Sequence, residues 1–486
     1  MRERVVDALA SEGYLMDQEA EDYILAQSDP LQFAHRALSS MQERPLIITM
    51  RDLRKTCLVP SEKVVTLQEV PRRRNVTVEA RGHGDITITK DITNASDCDA
   101  SVAGFANYFM DRFETLRGLL QKRRDLVGAS TIDRVLDSKR LMVDREVKLI
   151  GMVNDVKDFR SGDRLVELED ETGKVAVMIP KDHRLANESI LYDEVLGIIG
   201  KPTARDKKIV ASAIIRPDVP HGSQMERRDL SSVIGFMSDV HVGSNTFLKR
   251  PWEDMIEWVR TEGPEIGLQY LVVPGDCVDG IGIYPNQEEE LDIEDIFEQY
   301  RVLAELLKDV PDHIQVIVQP GNHDAVRPAE PQPAFSGDIG KLFDSSTILI
   351  GNPAYFEVEG RTILSYHGKS FDDLMASVKG LSYSNPMQAM KEMLKRRHLV
   401  PIYGGRTPIA PERKDFLVID KVPDIFVTGH VHGAGLDHYN GVRLINASTW
   451  QSQTPFQKMH NFNPEPAKLI LVHLGNGSTH MEDFSA

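Results

Sequence analysis

Cysteine is nearly absent from these 486 residues: there are three, Cys57, Cys98 and Cys277, widely spaced and odd in number. That excludes a disulfide framework or a thiolate zinc site and makes a reducing, cytoplasmic compartment the expectation. Long apolar runs are missing too. None approaches the roughly 20 residues that span a bilayer, so no membrane partner is expected. The opening stretch, MRERVVDALASEGYL, carries charge throughout and lacks the apolar core of a signal peptide. Basic charge is in deficit, with 57 Lys and Arg against 74 Asp and Glu and a formal net charge of −17. A chain that gripped nucleic acid unaided would show a basic face, because phosphate neutralisation dominates that affinity. Either nucleic acid is not the substrate, or a partner supplies much of the grip; acidity also serves solubility.

What is present is ordinary in bulk, with 41% hydrophobic and 27% charged residues. The length calls for two to four domains. Residues 1–57 read as a small helical domain. In SDPLQFAHRALSSM, Asp29 is placed to cap and Pro30 to open a helix, with Leu31, Ala34 and Leu38 recurring at helical spacing. It is a docking unit or a stabilising extension. Residues 58–100 are polar and read as a flexible linker, with Arg72-Arg73-Arg74 a solvated charge run rather than a phosphate contact. Residues 101–144 form an amphipathic helical connector, with Phe105, Phe109, Leu116 and Leu120 on one face.

From 145 to 220 the hydrophobic period becomes two, with EDETG a tight connection between two strands. Several short strands in about 75 residues predict a small barrel, best matched by an OB-fold. Its aromatics are few, chiefly Phe159 and Tyr192, so packing against a neighbour ranks ahead of base stacking. From 231 to 486 strand and helix alternate, as in a layered α/β domain. The strand candidates are SVIGFMS, LQYLVVP, IQVIVQP, RTILSY, DIFVTG, VRLINA and KLILVHL. WEDMIEWVR, IEDIFEQYRVLAELLK and PMQAMKEMLKRR are helical candidates.

Five of those strands run into related chemistry. FMSDVHVG delivers Asp239 and His241; VVPGDCVDG delivers Asp276 and, three residues on, Asp279. VQPGNHD delivers Asn322, His323 and Asp324; LSYHGKS delivers His367; VTGHVHG delivers His430 and His432. Loops at the carboxyl ends of strands converge in α/β folds. Imidazole and carboxylate suit manganese, iron or zinc. An Asp-x-His or His-x-His on extended backbone points both outer side chains one way. Gly275, Gly321 and Gly429 would permit sharp turns and close approach. Alone, each motif is weak: Gly-Asn is usually a turn, and a single histidine is usually structural. The five together, in this order and within one domain, are specific.

That order resembles the calcineurin-like metallophosphoesterase superfamily, over roughly residues 231–450. The resemblance implies a two-sheet layered α/β fold and two divalent metal ions, manganese first, with iron, zinc or magnesium as the other candidates. Asp276 would bridge both ions, Asp239, His241 and His432 would hold the first, and Asn322, His367 and His430 the second. His323 would be the proton donor to the leaving oxygen, oriented by Asp279 or Asp324. Two cations about 3.5–4 Å apart clamp a phosphate and acidify an attacking water; protonating a departing sugar alkoxide suits a phosphodiester most.

The strings YHGKSFDDL, YGGRTPIAPE and NASTWQSQTPFQKMHNFNPEPAKLILVHL, with a helical unit and barrel ahead of the α/β domain, are similar to the small subunits of archaeal D-family DNA polymerases. That resemblance covers nearly the whole chain, most strongly from about 145 onward. It implies a 3′–5′ exonuclease acting on single-stranded DNA ends in replication and a large subunit that carries polymerisation. The related B-subunits of eukaryotic replicative polymerases have lost the ligands; here all seven are present. Arg327, Lys369 and Arg406 sit in or near motif loops and are candidates for guiding a 3′ end. The alternatives are a stand-alone repair nuclease or nucleotide phosphodiesterase of the same fold, or a non-catalytic polymerase scaffold.

Overall fold

In the computed structural model the described residues are 15–16, 18–25, 30, 32–34, 47–48, 77–78, 86–99, 101–137, 145–203, 206–220, 225–459 and 462–485. Asp29, Leu31, Leu38, Cys57 and the Arg72–Arg74 run lie outside them. The chain divides into two units at 74/75. In the first, helix α1 (Gln18–Leu25) accompanies a short parallel pair, β1 (Leu15–Met16) and β2 (Ile47–Ile48), so the unit is not purely helical. Ala20, Ile24 and Ala34 are buried there.

The second unit begins with a correction. The stretch read as linker contains strands β3 (Thr77–Val78) and β4 (Ile86–Lys90), and β4 pairs antiparallel with β14 (Ala354–Val358). Ile86 is buried in the core shared by two sheets. The alternating ITITK pattern is a strand's pattern, and polar neighbours obscured it.

Helix α2 (Val102–Gln121) is capped by the Ser101 hydroxyl, which accepts from Gly104 N–H at 3.0 Å. Its most buried face is Tyr108, Arg112, Phe113, Leu116 and Leu120; Phe105 and Phe109 are only half-buried. Phe113, Leu116 and Leu120 pack with Ile150 and Val195 of the following barrel, whereas Tyr108 joins the core of the α/β domain. The helix is therefore a wedge between the two. Arg112 Nε donates to Asp415 Oδ2 at 2.8 Å, with both side chains buried.

The barrel is closed, in the order β5 (Val147–Asp158), β6 (Arg164–Asp170), β7 (Gly173–Ile179), β9 (Ile209–Ile215), β8 (Val195–Pro202). The β6–β7 turn is tight as expected: Asp170 Oδ1 accepts from Thr172 N and Gly173 N at 2.8 and 3.1 Å. The short helix α3 (Ile132–Leu136) packs Ile132 and Val135 into the barrel's core.

The remainder is four layers. One sheet has the order β13 (Ile348–Leu349), β12 (Gln315–Gln319), β11 (Leu268–Pro274), β10 (Val233–Phe236), β19 (Lys468–His473), β20 (Thr479–Asp483). The other has β17 (Ala434–Tyr439), β18 (Val442–Ala447), β16 (Ile425–Thr428), β15 (Arg361–Ser365), β14, β4, β3. All seven strands expected from apolar runs are present. Their residues alternate between two cores. In β11, Tyr270 and Val272 face the core between the sheets, while Leu271 and Val273 face the outer core. Strands apolar on both faces are what a sheet covered on both sides demands. Helices α4 (Lys249–Thr261) and α5 (Ile296–Lys308) cover the first sheet; α6 (Phe371–Ser377) and α7 (Pro386–Arg396) cover the second. Among the described residues no helix is long and apolar enough to cross a membrane.

Candidate metal centre

Strands β10, β11 and β12 run parallel in one sheet, and β15 and β16 in the other. Their carboxyl ends open at one edge, so both sheets contribute. The first brings Asp239, His241, Asp276, Asn322 and His323; the second brings His367, His430 and His432. Ligand-type atoms of Asp239, His241 and His432 lie within 4.8 Å of one another, as do those of Asp276, His367 and His430. Asn322 Oδ1 is 3.1 Å from His367 Nε2. Asp276 Oδ2 stands between the two sets, 3.2 Å from His367 Nε2 and 3.9 Å from His241 Nε2. The seven residues singled out from sequence thus come together at the strand ends, five of them buried and Asn322 and His430 half-buried.

The backbone achieves this differently from expectation. Asp239, His241, Asp276, His430 and His432 all have positive φ, between 47° and 70°. The Asp-x-His and His-x-His pairs are left-handed turns, not extended strands. Such geometry costs on the order of 1–2 kcal/mol per residue and persists only where neighbours over-determine it. They do: Asp239 N donates to Gly275 O and His241 N to Asp276 O, while His430 N donates to both Asp239 carboxylate oxygens at 3.1 and 3.0 Å. Gly275 has φ +108°, and a Cβ at Gly321 would overlap the Asp276 carboxylate. These glycines permit close approach, as the motif required.

The remaining ring nitrogens of His241, His367 and His432 are engaged. His241 Nδ1 meets Asp279 Oδ1 at 2.9 Å, His367 Nδ1 donates to Pro274 O at 3.0 Å, and His432 Nδ1 lies 2.9 Å from the Gln457 amide nitrogen. Partners of this kind orient imidazoles around a metal. Asp239 and Asp276 are buried, and among the described residues their ion-pair partners are histidines only. Burial opposes charge on both His241 and His367, but Asp279, Asp276 and Asp239 outweigh it at His241, and Asp276 and Asp239 at His367, pushing both up to about 9. Buried carboxylates with no lysine or arginine partner, ringed by imidazoles and one amide oxygen, fit divalent cations.

Two assigned roles change. His323 Nδ1 donates to the main-chain oxygen of Asp279 at 2.8 Å, not to a carboxylate. The Asp279 carboxylate serves His241 and also accepts from Gln287 Nε2 (2.8 Å) and Gln451 Nε2 (3.0 Å). Asp324 does not orient His323 either. It accepts from Gly321 N, Cys277 N and the Tyr300 hydroxyl at 2.8, 3.1 and 2.9 Å, clamping the Asp276 loop to the Asn322 loop. Burial, then Asp276, pushes its carboxyl up to about 7.

The cationic candidates separate. Arg327 is spent on structure, donating to Pro331 O, Ser96 Oγ and the buried Glu412 carboxylate. Lys369 Nζ donates to Asp372 Oδ2 at 2.9 Å, and Asp372 Oδ1 is 3.6 Å from His430 Nε2, so Lys369 stands beside the pocket. Arg406 is exposed, on a loop whose 406 and 407 N–H groups the Asp373 carboxylate holds. Asp372 and Gln457 escaped sequence reasoning. Asp372 sits five residues after His367, but spacing along a helical turn carries no ligand signal.

Fold and site together define an α/β domain of two facing sheets, with Asp, Asn and His side chains gathered on its strand-end loops. The family model for the B subunits of DNA polymerases alpha and epsilon matches residues 234–433. The DNA polymerase II small subunit of Archaeoglobus fulgidus is 42% identical over 426 residues, 85% of this chain and 84% of that one. That of Methanothermobacter thermautotrophicus is 37% identical over 483 residues, 97% and 98% of the two chains. The chain belongs to the family of archaeal DNA polymerase II small subunits. A solved structure titled as a novel archaeal phosphodiesterase aligns with 51% of this chain and 98% of its own at 12% identity and TM-score 0.26, a likeness too slight to argue from.

Proposed function

We propose that this chain is a metal-dependent 3′–5′ exonuclease that removes nucleotides from single-stranded DNA ends, working beside a large subunit that carries polymerisation. One observation supports this above others: a single oxygen of Asp276 faces both histidine sets, at 3.2 and 3.9 Å. Asp239, His241 and His432 would hold one cation, Asn322, His367 and His430 the other, with Asp276 shared. Two divalent cations, manganese first, supply charge for a phosphodiester and an acidified water when bound.

The chain's own part is positioning and proton transfer. With Nδ1–H given to Asp279 O, His323 has Nε2 left to serve the departing 3′-side oxygen of the DNA. Burial holds that ring below its usual range, and an arriving phosphodiester anion raises it again. Asp276 Oδ1 accepts from His323 N–H at 2.8 Å, tying the acid to the bridging carboxylate. We read the closed barrel as an OB-fold whose work is packing: α2 and the Glu194–Arg396 ion pair (2.6 Å) join it to the α/β domain. An acidic subunit need not grip duplex DNA if its partner does.

The test is manganese-dependent loss of nucleotides from a 3′-ended single strand, with chelator abolishing it. His323→Ala should cut the rate by about a hundredfold or more while metal stays bound. Protein of full metal content that leaves such DNA untouched, alone and with its large subunit, overturns the reading.

A further inference from the structure

Each histidine of Gly429-His430-Val431-His432 is tied to a separate loop that carries an aromatic ring. Asp372 Oδ1, 3.6 Å from His430 Nε2, accepts from the Tyr383 hydroxyl at 2.9 Å. Gln457, whose amide meets His432 Nδ1, accepts at its main-chain oxygen from Phe462 N–H at 2.9 Å. The two rings meet edge to face, with centroids 6.3 Å apart and planes at 83°. Tyr383 is 36% exposed, and neither ring belongs to the hydrophobic cores of the α/β domain. In an edge-to-face pair the edge of one ring meets the face of the other, so one ring keeps both its faces clear of its partner. Lys369 Nζ, on the other oxygen of Asp372, places a cation beside the same rim.

We propose that Tyr383 and Phe462 form the subsite for the 3′-terminal nucleobase of a DNA single strand, with Lys369 facing its backbone phosphate. The proposal rests on the nuclease reading for the identity of the pocket. Stacking suits proofreading chemistry because every base has a π-face, so a ring pair accepts any wrong nucleotide without reading sequence. A correctly paired terminus keeps its base stacked in the duplex and cannot offer that face, whereas an unpaired one can. The rings would thus favour frayed ends, and the loops holding them connect that occupancy to both histidines.

The experiment uses the full chain with its large subunit. In a His323→Ala background, an oligonucleotide ending in 3′ 2-aminopurine should show quenched fluorescence on binding. Adding Tyr383→Leu and Phe462→Ala should abolish the quenching and weaken binding about tenfold. Tyr383→Phe, which keeps the ring and loses only the Asp372 hydrogen bond, should retain it. With His323 intact, an ordinary 3′ end should be cut with a KM about tenfold lower than a 3′ abasic end, and the double variant should lose that preference. Quenching that survives loss of both rings, or a preference the double variant keeps, overturns the subsite. If quenching depends on the rings yet intact protein cuts nothing, the subsite stands and the nuclease reading falls. If intact protein cuts DNA but the rings change nothing, the reverse holds.

Discussion

The barrel and the α/β domain are both closed on a buried interior, and they are built to opposite rules. Between residues 147 and 215 the one buried charged side chain among the described residues is Glu194. Its carboxylate turns outward to Arg216 (3.3 Å) and Arg396 (2.6 Å). The barrel's own core is Val166, Leu168, Val177, Leu196 and Ile198. The α/β domain has an apolar centre as well, but its strand ends bury Asp239, Asp276, Asp279, Asp324, His241 and His367. Taking an ionisable group out of water costs several kcal/mol before any pairing repays it. A fold that does so repeatedly in one place, on left-handed backbone, spends stability on a site. The barrel does it once, at its interface with the α/β domain.

The sharpest break of this contrast is Asp276→Asn. One shared carboxylate becomes an amide, and both histidine sets lose their common anion. We expect metal content by elemental analysis to fall below one ion per chain, and nuclease rate to drop about a thousandfold or more. Retained metal at two ions would remove the bridging role. The metal-free protein should also unfold at a lower temperature, because His367 and His241 lose a buried anionic partner.

Next in size is the wedge between the two regions. Arg112, Asp415 and His398 form a buried cluster: Asp415 Oδ2 accepts from Arg112 Nε and meets His398 Nε2, both at 2.8 Å. Asp415→Ala strands the guanidinium and should destabilise by about 3–5 kcal/mol in denaturant unfolding. Pairing Arg112→Met with Asp415→Leu should recover most of that loss, since neither charge is then left alone. Failure of the double variant to recover would mean that the cluster fixes geometry rather than cancelling charge.

Leu168→Ala, fully buried in the barrel, should cost about 2–5 kcal/mol through lost burial and a residual cavity. Metal content and cleavage per folded molecule should be unchanged, which is the barrel's half of the contrast. A loss of metal in this variant would show that the two interiors are coupled.

How much of this was legible follows the same division. The seven candidate ligands stood out because each sits behind an apolar strand at a turn, and because five such turns recur in order. The strands of the α/β domain were readable because sheets covered on both faces leave continuous apolar runs. What stayed hidden was long-range. Nothing in the sequence around Arg112 announces Asp415, 303 positions away. β4 reads as linker because its partner strand lies past residue 350. Arg327 looked like a phosphate guide, yet Glu412 and Ser96 claim it. Asp279 was singled out for the right loop and the wrong partner, since its carboxylate serves His241 and its carbonyl serves His323. Sequence marks which side chains are unusual; only packing shows which of two neighbouring atoms does the work.

The smallest expected effect tests whether the polar burden of the α/β domain extends beneath the pocket. Glu330 is buried, its Oε2 accepting from the Tyr366 hydroxyl at 2.9 Å, and burial pushes its carboxyl up to about 7. The folded state therefore holds a proton that the unfolded chain releases near 4.5. The stability this protonation contributes is complete below that value and is lost as pH rises toward 7. Glu330→Gln removes the titration. Relative to wild type, the variant should gain roughly 2–3 kcal/mol between pH 5 and pH 8. Leu168→Ala, whose barrel surroundings lack any such group, should show the same loss at both pH values. Equal pH slopes for wild type and Glu330→Gln would place the titration elsewhere.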